Sequence, residues 1–141
     1  MSRVYWDSML FVYMLEAHPI NGRLVDKILD SIIRRQDTLC TSVFGAGEVL
    51  AGPWRRGSQF EIDTILRFFR GGSVEVLPFT LETADRFASI RATNKVSPAD
   101  AIHLASAAEA GVDIFVTNDG DLRKLSIPGI RLFADLDGKV I

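Results

Sequence analysis

The sequence predicts an α/β fold built around a mostly parallel sheet. One observation is that short apolar runs, which suit buried strands, alternate with longer segments that carry an apolar stripe at helical spacing. The other is size, because 141 residues with 48% hydrophobic and 24% charged side chains match one ordinary globular domain. We therefore expect a single domain over residues 1–141.

Five apolar runs are the predicted strands. The first run, from Val4 to Trp6, contains aromatic residues and stops at Asp7, as expected of a strand that is buried on both faces. The other predicted strands cover residues 38–41, 74–77, 114–117 and 130–133.

The segments between these strands are predicted helices, because apolar residues recur in them every three or four positions. Asn21 is the expected N-cap of one helix. Ser97 followed by Pro98 marks the start of another, and Gly52-Pro53 is expected to end a third. The predicted helices cover residues 9–16, 21–36, 42–51, 59–70, 80–93 and 98–110, with a short one over 120–125.

Charge and cysteine content argue against several classes of protein. The formal net charge is -2, which is unlike a protein that binds nucleic acid through a basic surface. Cys40 is the only cysteine, so an intrachain disulfide is impossible and a Cys/His zinc site is unsupported. Asp7 interrupts the first apolar stretch before a signal peptide or membrane span could form. We expect a soluble, cytoplasmic protein that does not associate with membranes.

Four carboxylates, here called the acidic quartet, are predicted to meet at one edge of the sheet. Asp7 directly follows the first strand, and Asp119 follows the fourth. Asp100 lies in the first turn of the helix before the fourth strand, and Glu48 in the second turn of the helix after the second strand. Because helices return antiparallel to the strands, their N-termini lie at the carboxyl edge, where ligands bind in such folds.

Most members of the acidic quartet also have a structural interpretation. Asp100 could favour a helix start through the macrodipole. Asp119 could belong to a turn, and Glu48 could be a solvated helix residue. Asp7 is different, because an acid has no structural need to end a buried strand. The coincidence of four acids from distant parts of the chain at one edge favours a functional site.

The chemistry that suits such a cluster is metal-assisted hydrolysis. Clustered carboxylates repel one another, and a divalent cation relieves the repulsion. Mg²⁺ prefers oxygen ligands, keeps several waters and completes its shell with substrate phosphate. Bound metal can activate water for attack on a phosphodiester. The sequence shows no cysteine nucleophile, glycine-rich phosphate loop or Ser/His/Asp set that competes. We therefore expect hydrolysis of a nucleic-acid backbone.

At these residues the sequence resembles PIN-domain ribonucleases, most closely the VapC-type toxins of toxin–antitoxin pairs. The resemblance covers nearly the whole chain, and the matching segments keep their order and spacing. They are VYWDS at 4–8, TS at 41–42 with GEVLAG at 47–52, SPADAIHLA at 97–105 and VTNDGDL at 116–122. The sequence departs from the family pattern at Gly45 and Gly47, where the family usually has apolar residues that favour a helix. Each glycine costs a helix about 0.5–1 kcal/mol relative to alanine. This indicates either a close packing partner or an altered geometry at Glu48.

The resemblance implies a PIN-like three-layer α/β/α sandwich and endoribonuclease activity that depends on Mg²⁺ or Mn²⁺. It implies that Asp7 and Asp100 bind the metal directly, and that Glu48 and Asp119 complete the catalytic site directly or through water. RNA is the implied substrate. A second copy of the chain, forming a homodimer, and a cognate antitoxin that blocks the site are the implied partners.

Three further residues lie beside the acidic quartet. Ser8 and Thr117 match the small hydroxyl positions that support the acids in the family. Asp121 is either a fifth acid or the residue that starts the short helix after the fourth strand.

Basic and imidazole side chains near the predicted site have two interpretations each. His103 shares a helix face with Asp100, so it either contacts substrate or packs and forms hydrogen bonds within the protein. Arg55 and Arg56 follow Trp54, and this group either contacts RNA or packs against a partner chain.

Two other functions remain open at this point. A catalytically silent PIN-like interaction module would share the fold, although it would have no reason to keep four mutually repelling acids. A receiver-like phosphoacceptor domain would need paired acids after the first strand and an acceptor aspartate at the end of a central strand. Here Asp7 stands alone, and the third strand ends at Leu77-Pro78.

Overall fold

Five parallel strands form a single sheet in the computed structural model, which describes residues 1–137. Their order across the sheet is β3-β2-β1-β4-β5. Each observed strand overlaps the run predicted for it, and the parallel sheet is confirmed. The predicted domain end at residue 141 lies outside the described residues. The strands are β1 (Arg3–Trp6), β2 (Thr38–Ser42), β3 (Glu75–Leu77), β4 (Ile114–Val116) and β5 (Leu132–Ala134).

Six α-helices in the described residues connect the strands. They are α1 (Ser8–Leu15), α2 (Asn21–Arg35), α3 (Val43–Arg56), α4 (Gln59–Arg70), α5 (Leu81–Thr93) and α6 (Pro98–Ala110). After β4 the predicted short helix is a single 3-10 turn, Leu122–Lys124. Over residues 1–137, none of the helices has the length and apolar character needed to cross a bilayer.

The helices cover both faces of the sheet, because alternate residues of a strand point to opposite sides. On β1, Val4 and Trp6 point into a core formed with α1 to α4, whereas Tyr5 points into a second core formed with α5 and α6. All three side chains are fully buried. The three-layer α/β/α sandwich is therefore confirmed, and burial on both faces explains why β1 is continuously apolar.

The sheet reverses its direction of growth at β1. The chain adds β2 and β3 on one side of β1, and later adds β4 and β5 on the other. Connections that leave in opposite directions open a crevice at the carboxyl ends of the two strands, here β1 and β4. The observed order also differs from the 2-1-3-4-5 order of receiver-like domains, so that alternative is excluded.

Helix α3 is longer than predicted. The expectation that Gly52-Pro53 ends it is wrong, because α3 continues through Pro53 to Arg56 and ends at Gly57 in a left-handed conformation with φ of 66°. A proline inside a helix costs about 3 kcal/mol through a lost hydrogen bond and a steric clash. Pro53 is buried, and its carbonyl accepts the Ser58 N–H at 3.0 Å. Burial of the ring and this closing hydrogen bond offset part of the cost.

Helix α2 begins without the predicted Asn21 cap. Ile20 occupies the N-cap position, and Asn21 is the first helical residue. The Nδ1 atom of His18 accepts a hydrogen bond from the Asn21 N–H at 3.1 Å. The prediction is wrong at this position because the preceding loop supplies the acceptor.

Candidate active site

The carboxylates of the acidic quartet line one cleft at the carboxyl edge of the sheet. The cleft has a volume of about 390 Å³. Asp7 follows β1, Asp119 lies in the loop after β4, Glu48 lies in α3, and Asp100 lies in the first turn of α6. The fold thus brings these four residues together at the crevice between β1 and β4.

The two carboxylate oxygens of Asp7 differ in their hydrogen bonding. Its Oδ2 accepts a hydrogen bond from the Thr117 hydroxyl at 2.5 Å. Its Oδ1 is buried and has no hydrogen-bond partner among residues 1–137. Burial raises the pKa of Asp7, and the Thr117 hydrogen bond, His103 and the nearby backbone N–H groups of Met9 and Leu10 oppose this rise only in part. A buried carboxylate oxygen without a partner is costly, so Oδ1 is an unused ligand atom.

Thr117 links Asp7 to Asp119. Its side chain is fully buried, and its Oγ1 accepts a hydrogen bond from the Asp119 N–H at 3.1 Å. The Asp119 Oδ1 accepts backbone N–H bonds from Asp121 and Leu122, at 2.9 and 3.4 Å. Asp119 therefore both lines the cleft and shapes a turn. Asp121 is exposed outside the cleft lining, and it precedes the 3-10 turn without a side-chain capping bond.

Glu48 receives two hydrogen bonds at the same oxygen. The Ser8 hydroxyl donates to Oε1 at 2.9 Å, and the Nε2 atom of His103 lies 2.5 Å from Oε1. Burial acts against the charged carboxylate, but the interactions with His103 and Ser8 together outweigh it and lower the pKa of Glu48. The result is an ionised carboxylate with a fixed orientation.

His103 connects the cleft to the core. It lines the cleft with only 4% of its surface exposed, and the Tyr5 hydroxyl lies 2.6 Å from its Nδ1. Burial raises the pKa of the Tyr5 phenol. Both nitrogens of His103 are engaged within the protein, which favours the hydrogen-bonding interpretation over substrate contact. Sequence reasoning missed Tyr5, whose one signal is a polar tip in an otherwise apolar strand.

The packing between α3 and α6 requires a glycine at position 45. A Cβ on Gly45 would lie 2.6 Å from the Thr41 Oγ1 and 3.1 Å from the His103 Cε1. A Cβ on Gly47 would meet no described atom within 4 Å. Gly45 therefore has the close packing partner that the sequence led us to expect, whereas Gly47 has none among the described atoms.

A capped helix start positions Asp100. The Ser97 Oγ accepts the Asp100 N–H at 3.1 Å, and Pro98 is the first helical residue. Both features agree with the predicted helix start. Asp100 is half-buried and lines the cleft from the N-terminal end of α6, where the helix dipole stabilises negative charge.

Arg55 and Arg56 do not line the acidic cleft. Both are exposed at the end of α3, and Arg56 forms an ion pair with Glu61 at 2.9 Å. Arg56 borders a second depression of about 250 Å³ between α1, α3 and α4. We call this depression the apolar groove. Its apolar lining residues are Val12, Leu15, Val49, Pro53, Phe60 and Ile65.

The donor atoms of the cleft suit a hard divalent cation. Asp7 Oδ1 is a buried ligand atom without a partner among the described residues. No three acidic, histidine or cysteine side chains within residues 1–137 are grouped closely enough to form a cage around an ion. Mg²⁺ is usually held by one or two carboxylates while it keeps several waters, and Mn²⁺ accepts the same ligands. The residues therefore fit Mg²⁺ or Mn²⁺ better than Zn²⁺, which takes a closed set of protein ligands in structural sites.

Solved structures of toxin–antitoxin proteins share this fold. VapBC2 from Rickettsia felis, bound to promoter DNA, matches with a TM-score of 0.75 and 15% identity over 94% of this chain and 98% of that chain. DNA-bound VapBC from Salmonella typhimurium matches with a TM-score of 0.66 and 23% identity over 96% and 99%. VapC20 from Mycobacterium tuberculosis, a toxin that cleaves the sarcin-ricin loop, matches with a TM-score of 0.69 and 16% identity over 84% and 91%.

The sequence match establishes the family. No curated protein matches the chain significantly. The sequence profile of the PIN domain family matches residues 4–128, a range that includes the acidic quartet and both supporting hydroxyl residues. The chain therefore belongs to the PIN domain family.

Proposed function

We propose that this PIN-domain protein is a Mg²⁺- or Mn²⁺-dependent endoribonuclease that hydrolyses RNA phosphodiester bonds, and that it is the toxin of a toxin–antitoxin pair. The observation that carries the proposal is the convergence of the acidic quartet on one cleft. Membership of the PIN family supports a nuclease. The fold shared with VapC20, a toxin that cleaves the sarcin-ricin loop, supports RNA as the substrate.

The acidic quartet supplies the metal ligands in this proposal. Asp7 and Asp100 would hold the ion, and Glu48 and Asp119 would complete its surroundings directly or through water. When bound, a divalent ion of this kind activates water for attack and offsets the charge that develops on the phosphate oxygens. The buried Oδ1 of Asp7 is the protein atom with the clearest need for such a partner.

Neighbouring side chains hold the acids ready for this chemistry. The Thr117 hydroxyl binds Asp7 Oδ2 and leaves Oδ1 for the ligand. Ser8 and His103 keep Glu48 ionised, and an ionised carboxylate can accept a proton from the attacking water. Because these supports are partly or fully buried, little reorganisation is needed when substrate binds.

The net charge of -2 is compatible with an RNA substrate. Four of the 18 acidic residues line the cleft, which leaves 14 acidic residues against 16 basic ones in the rest of the sequence. The acidic excess therefore belongs to the proposed metal site, where bound metal would neutralise it. We infer that RNA binding depends on the metal more than on a basic surface.

Cleavage assays with controlled metal content test the proposal. Purified protein, freed of antitoxin, should cleave RNA with Mg²⁺ or Mn²⁺, stop when a chelator is added, and resume when excess Mn²⁺ is restored. Cleavage that persists in chelator would contradict a metal-dependent mechanism. Inactive protein across a broad panel of RNAs would favour the silent interaction module instead.

We also propose that the partner of this toxin is a cognate antitoxin. Two of the similar structures are complexes of VapBC proteins. In this chain Phe60 of the apolar groove is 78% exposed, and nearby Trp54 is 65% exposed. Exposed aromatic surface of this kind marks protein interfaces, and we assign an antitoxin segment as its occupant. A small reading frame beside the gene should encode a protein that co-purifies with this chain and inhibits it. Co-purification without inhibition would contradict the assignment.

We propose that the free toxin is a homodimer, as the family resemblance implies, and that it is cytoplasmic. Sedimentation of the antitoxin-free protein should give twice the chain mass of 15.6 kDa. A monomeric mass at micromolar concentration would remove the dimer from the proposal.

A further inference from the structure

A continuous series of hydrogen bonds runs from the second core to the acidic cleft. The Tyr5 Oη lies 2.6 Å from the His103 Nδ1, and the His103 Nε2 lies 2.5 Å from the Glu48 Oε1. The Ser8 Oγ donates to the same Glu48 oxygen at 2.9 Å. These residues come from β1, α6, α3 and α1, so the series ties one strand and three helices together.

The groups bonded to its two ring nitrogens determine which nitrogen of His103 carries the proton. An ionised Glu48 oxygen can only accept, so the close contact with Nε2 requires a proton on Nε2. The Tyr5 phenol can donate its proton to Nδ1, which is then the acceptor of a neutral imidazole. Nearby, the Thr41 hydroxyl donates its proton to the Trp6 carbonyl, and the Ser42 Oγ accepts the Gly45 N–H. The opposite tautomer would set two acceptors, Nε2 and Oε1, against each other.

Packing prevents the imidazole from adopting another orientation. His103 is 4% exposed, and its ring meets the Phe44 ring edge-on with 5.5 Å between centroids. Tyr5 contacts it in a second edge-on arrangement at 5.8 Å. Gly45 allows this position, because any Cβ there would lie 3.1 Å from the ring. A buried imidazole that is hydrogen-bonded at both nitrogens and packed on its sides is suited to fixing the orientation of the Glu48 carboxylate.

We propose that Tyr5 and His103 are positioning residues. Tyr5 selects the Nε2–H tautomer of His103. His103 and Ser8 then hold Glu48 Oε1 by hydrogen bonds, which leaves Oε2 available for metal, water or substrate. This inference rests on the proposed function, because it concerns the same site. It assigns His103 no contact with RNA.

The tautomer can be measured without metal or RNA. The chain has two histidines, so a long-range ¹H–¹⁵N spectrum of the metal-free protein contains two imidazole patterns, and His18→Ala identifies the one from His18. We expect His103 to show a protonated Nε2 and an unprotonated Nδ1 that accepts a hydrogen bond. Tyr5→Phe should remove the hydrogen-bond shift at Nδ1. A proton on Nδ1 in the unaltered protein would overturn the proposal.

A matched pair of substitutions separates hydrogen bonding from packing. His103→Leu keeps much of the side-chain volume but donates nothing, whereas His103→Gln retains an N–H donor. Loss of a residue that hydrogen-bonds to a metal ligand typically weakens metal binding by about 10- to 100-fold. We expect His103→Leu to weaken Mn²⁺ binding, followed by electron paramagnetic resonance, within that range. His103→Gln should recover most of the loss, and kcat/KM for cleavage should follow the same order.

Three outcomes distinguish this inference from the proposed function. Equal Mn²⁺ affinity in the Leu and Gln variants, or no change in either, would overturn the positioning role. If His103→Leu does not fold, Tyr5→Phe carries the test, because it removes one oxygen and keeps the ring. Unaltered Mn²⁺ affinity and cleavage in Tyr5→Phe would then overturn the role of Tyr5. Failure of the unaltered protein to bind Mn²⁺ would remove the proposed function, while the imidazole spectrum would still decide the tautomer.

Discussion

Helices α1 and α3 line both the acidic cleft and the apolar groove, and these two depressions have opposite chemistry. On the side of the acidic cleft, α1 contributes Ser8 and α3 contributes Glu48. On the side of the apolar groove, α1 contributes Leu15, and α3 contributes Val49 and Pro53. Adjacent residues of a helix point in different directions, so Glu48 and Val49 serve different surfaces although they are neighbours in sequence.

This contrast separates a surface suited to chemistry from one suited to docking. In the cleft, carboxylates are held by buried hydroxyl and imidazole groups, and one buried oxygen of Asp7 has no partner among the described residues. In the groove, Phe60 exposes an aromatic ring and the Arg56–Glu61 ion pair lies at the rim. Substitutions on the two sides should therefore affect cleavage and partner binding independently.

The largest effect is expected when a cleft acid loses its charge. Asp7→Asn or Asp100→Asn should reduce RNA cleavage by at least about 100-fold, because even groups behind a metal ligand contribute about 10- to 100-fold. The measurement is the cleavage rate at saturating Mn²⁺. Asp63→Asn, an exposed change on α4, is the matched control and should retain activity. Full activity in either cleft variant would defeat the assignment of the acidic quartet.

A charge introduced into the apolar groove should impair partner binding and leave cleavage intact. Phe60→Glu should weaken antitoxin binding by about 2 kcal/mol or more, roughly 30-fold, because buried aromatic anchors dominate interface energies. Cleavage by the free protein should not change. Titration calorimetry measures the affinity, with Phe79→Glu as the control at a different exposed aromatic residue. Equal losses in the two variants would mean that the groove is not the docking surface.

The two glycines of α3 sharpen the same contrast. Gly45→Ala should lower the free energy of unfolding by about 1–3 kcal/mol, because its Cβ would press on Thr41 and His103. Gly47→Ala should raise it by about 0.5–1 kcal/mol, since its Cβ meets open space and alanine favours the helix. Urea unfolding of both variants checks the signs. A stabilising Gly45→Ala would show that the contact between α3 and α6 is looser than described.

A smaller effect is expected on the stability of the metal-free protein. Burial raises the pKa of Asp7, so this carboxyl stabilises the fold fully below the ordinary aspartate pKa near 4, and that contribution is lost as the pH rises through the raised value. Asp7→Asn should therefore stabilise the metal-free protein at pH 7, by an amount on the order of 1 kcal/mol. The gain should shrink as the pH falls towards about 4. A less stable variant at pH 7 in chelator would contradict this account.

Much of the fold could be predicted because its signals are local. Continuous apolar runs predicted the buried strands, and Ser97 with Pro98 predicted the start of α6 to the residue. The convergence of the acids then followed from a general property of parallel sheets, whose strand ends and helix starts share one edge. Two local rules failed. Helix α3 continues through Pro53, whose burial offsets part of the usual cost of a proline in a helix. At the start of α2, His18 supplies the acceptor expected of Asn21.

The supporting interactions of the site could not be predicted, because they join distant parts of the chain. Tyr5 and His103 are 98 positions apart, and Ser8 and Glu48 are 40 apart. No periodicity specifies which polar groups meet across the layers of a sandwich. The sequence also could not tell Gly45 from Gly47, because a glycine required by packing and one that packing does not require look the same in sequence.

Anomalous diffraction from crystals soaked in Mn²⁺ tests the central claim most directly. The account predicts a manganese peak in the cleft, within bonding distance of the Asp7 carboxylate, that disappears from crystals of Asp7→Asn. An empty cleft at saturating Mn²⁺, in crystals where the ion binds elsewhere, would contradict the proposal that the acidic quartet forms a metal site.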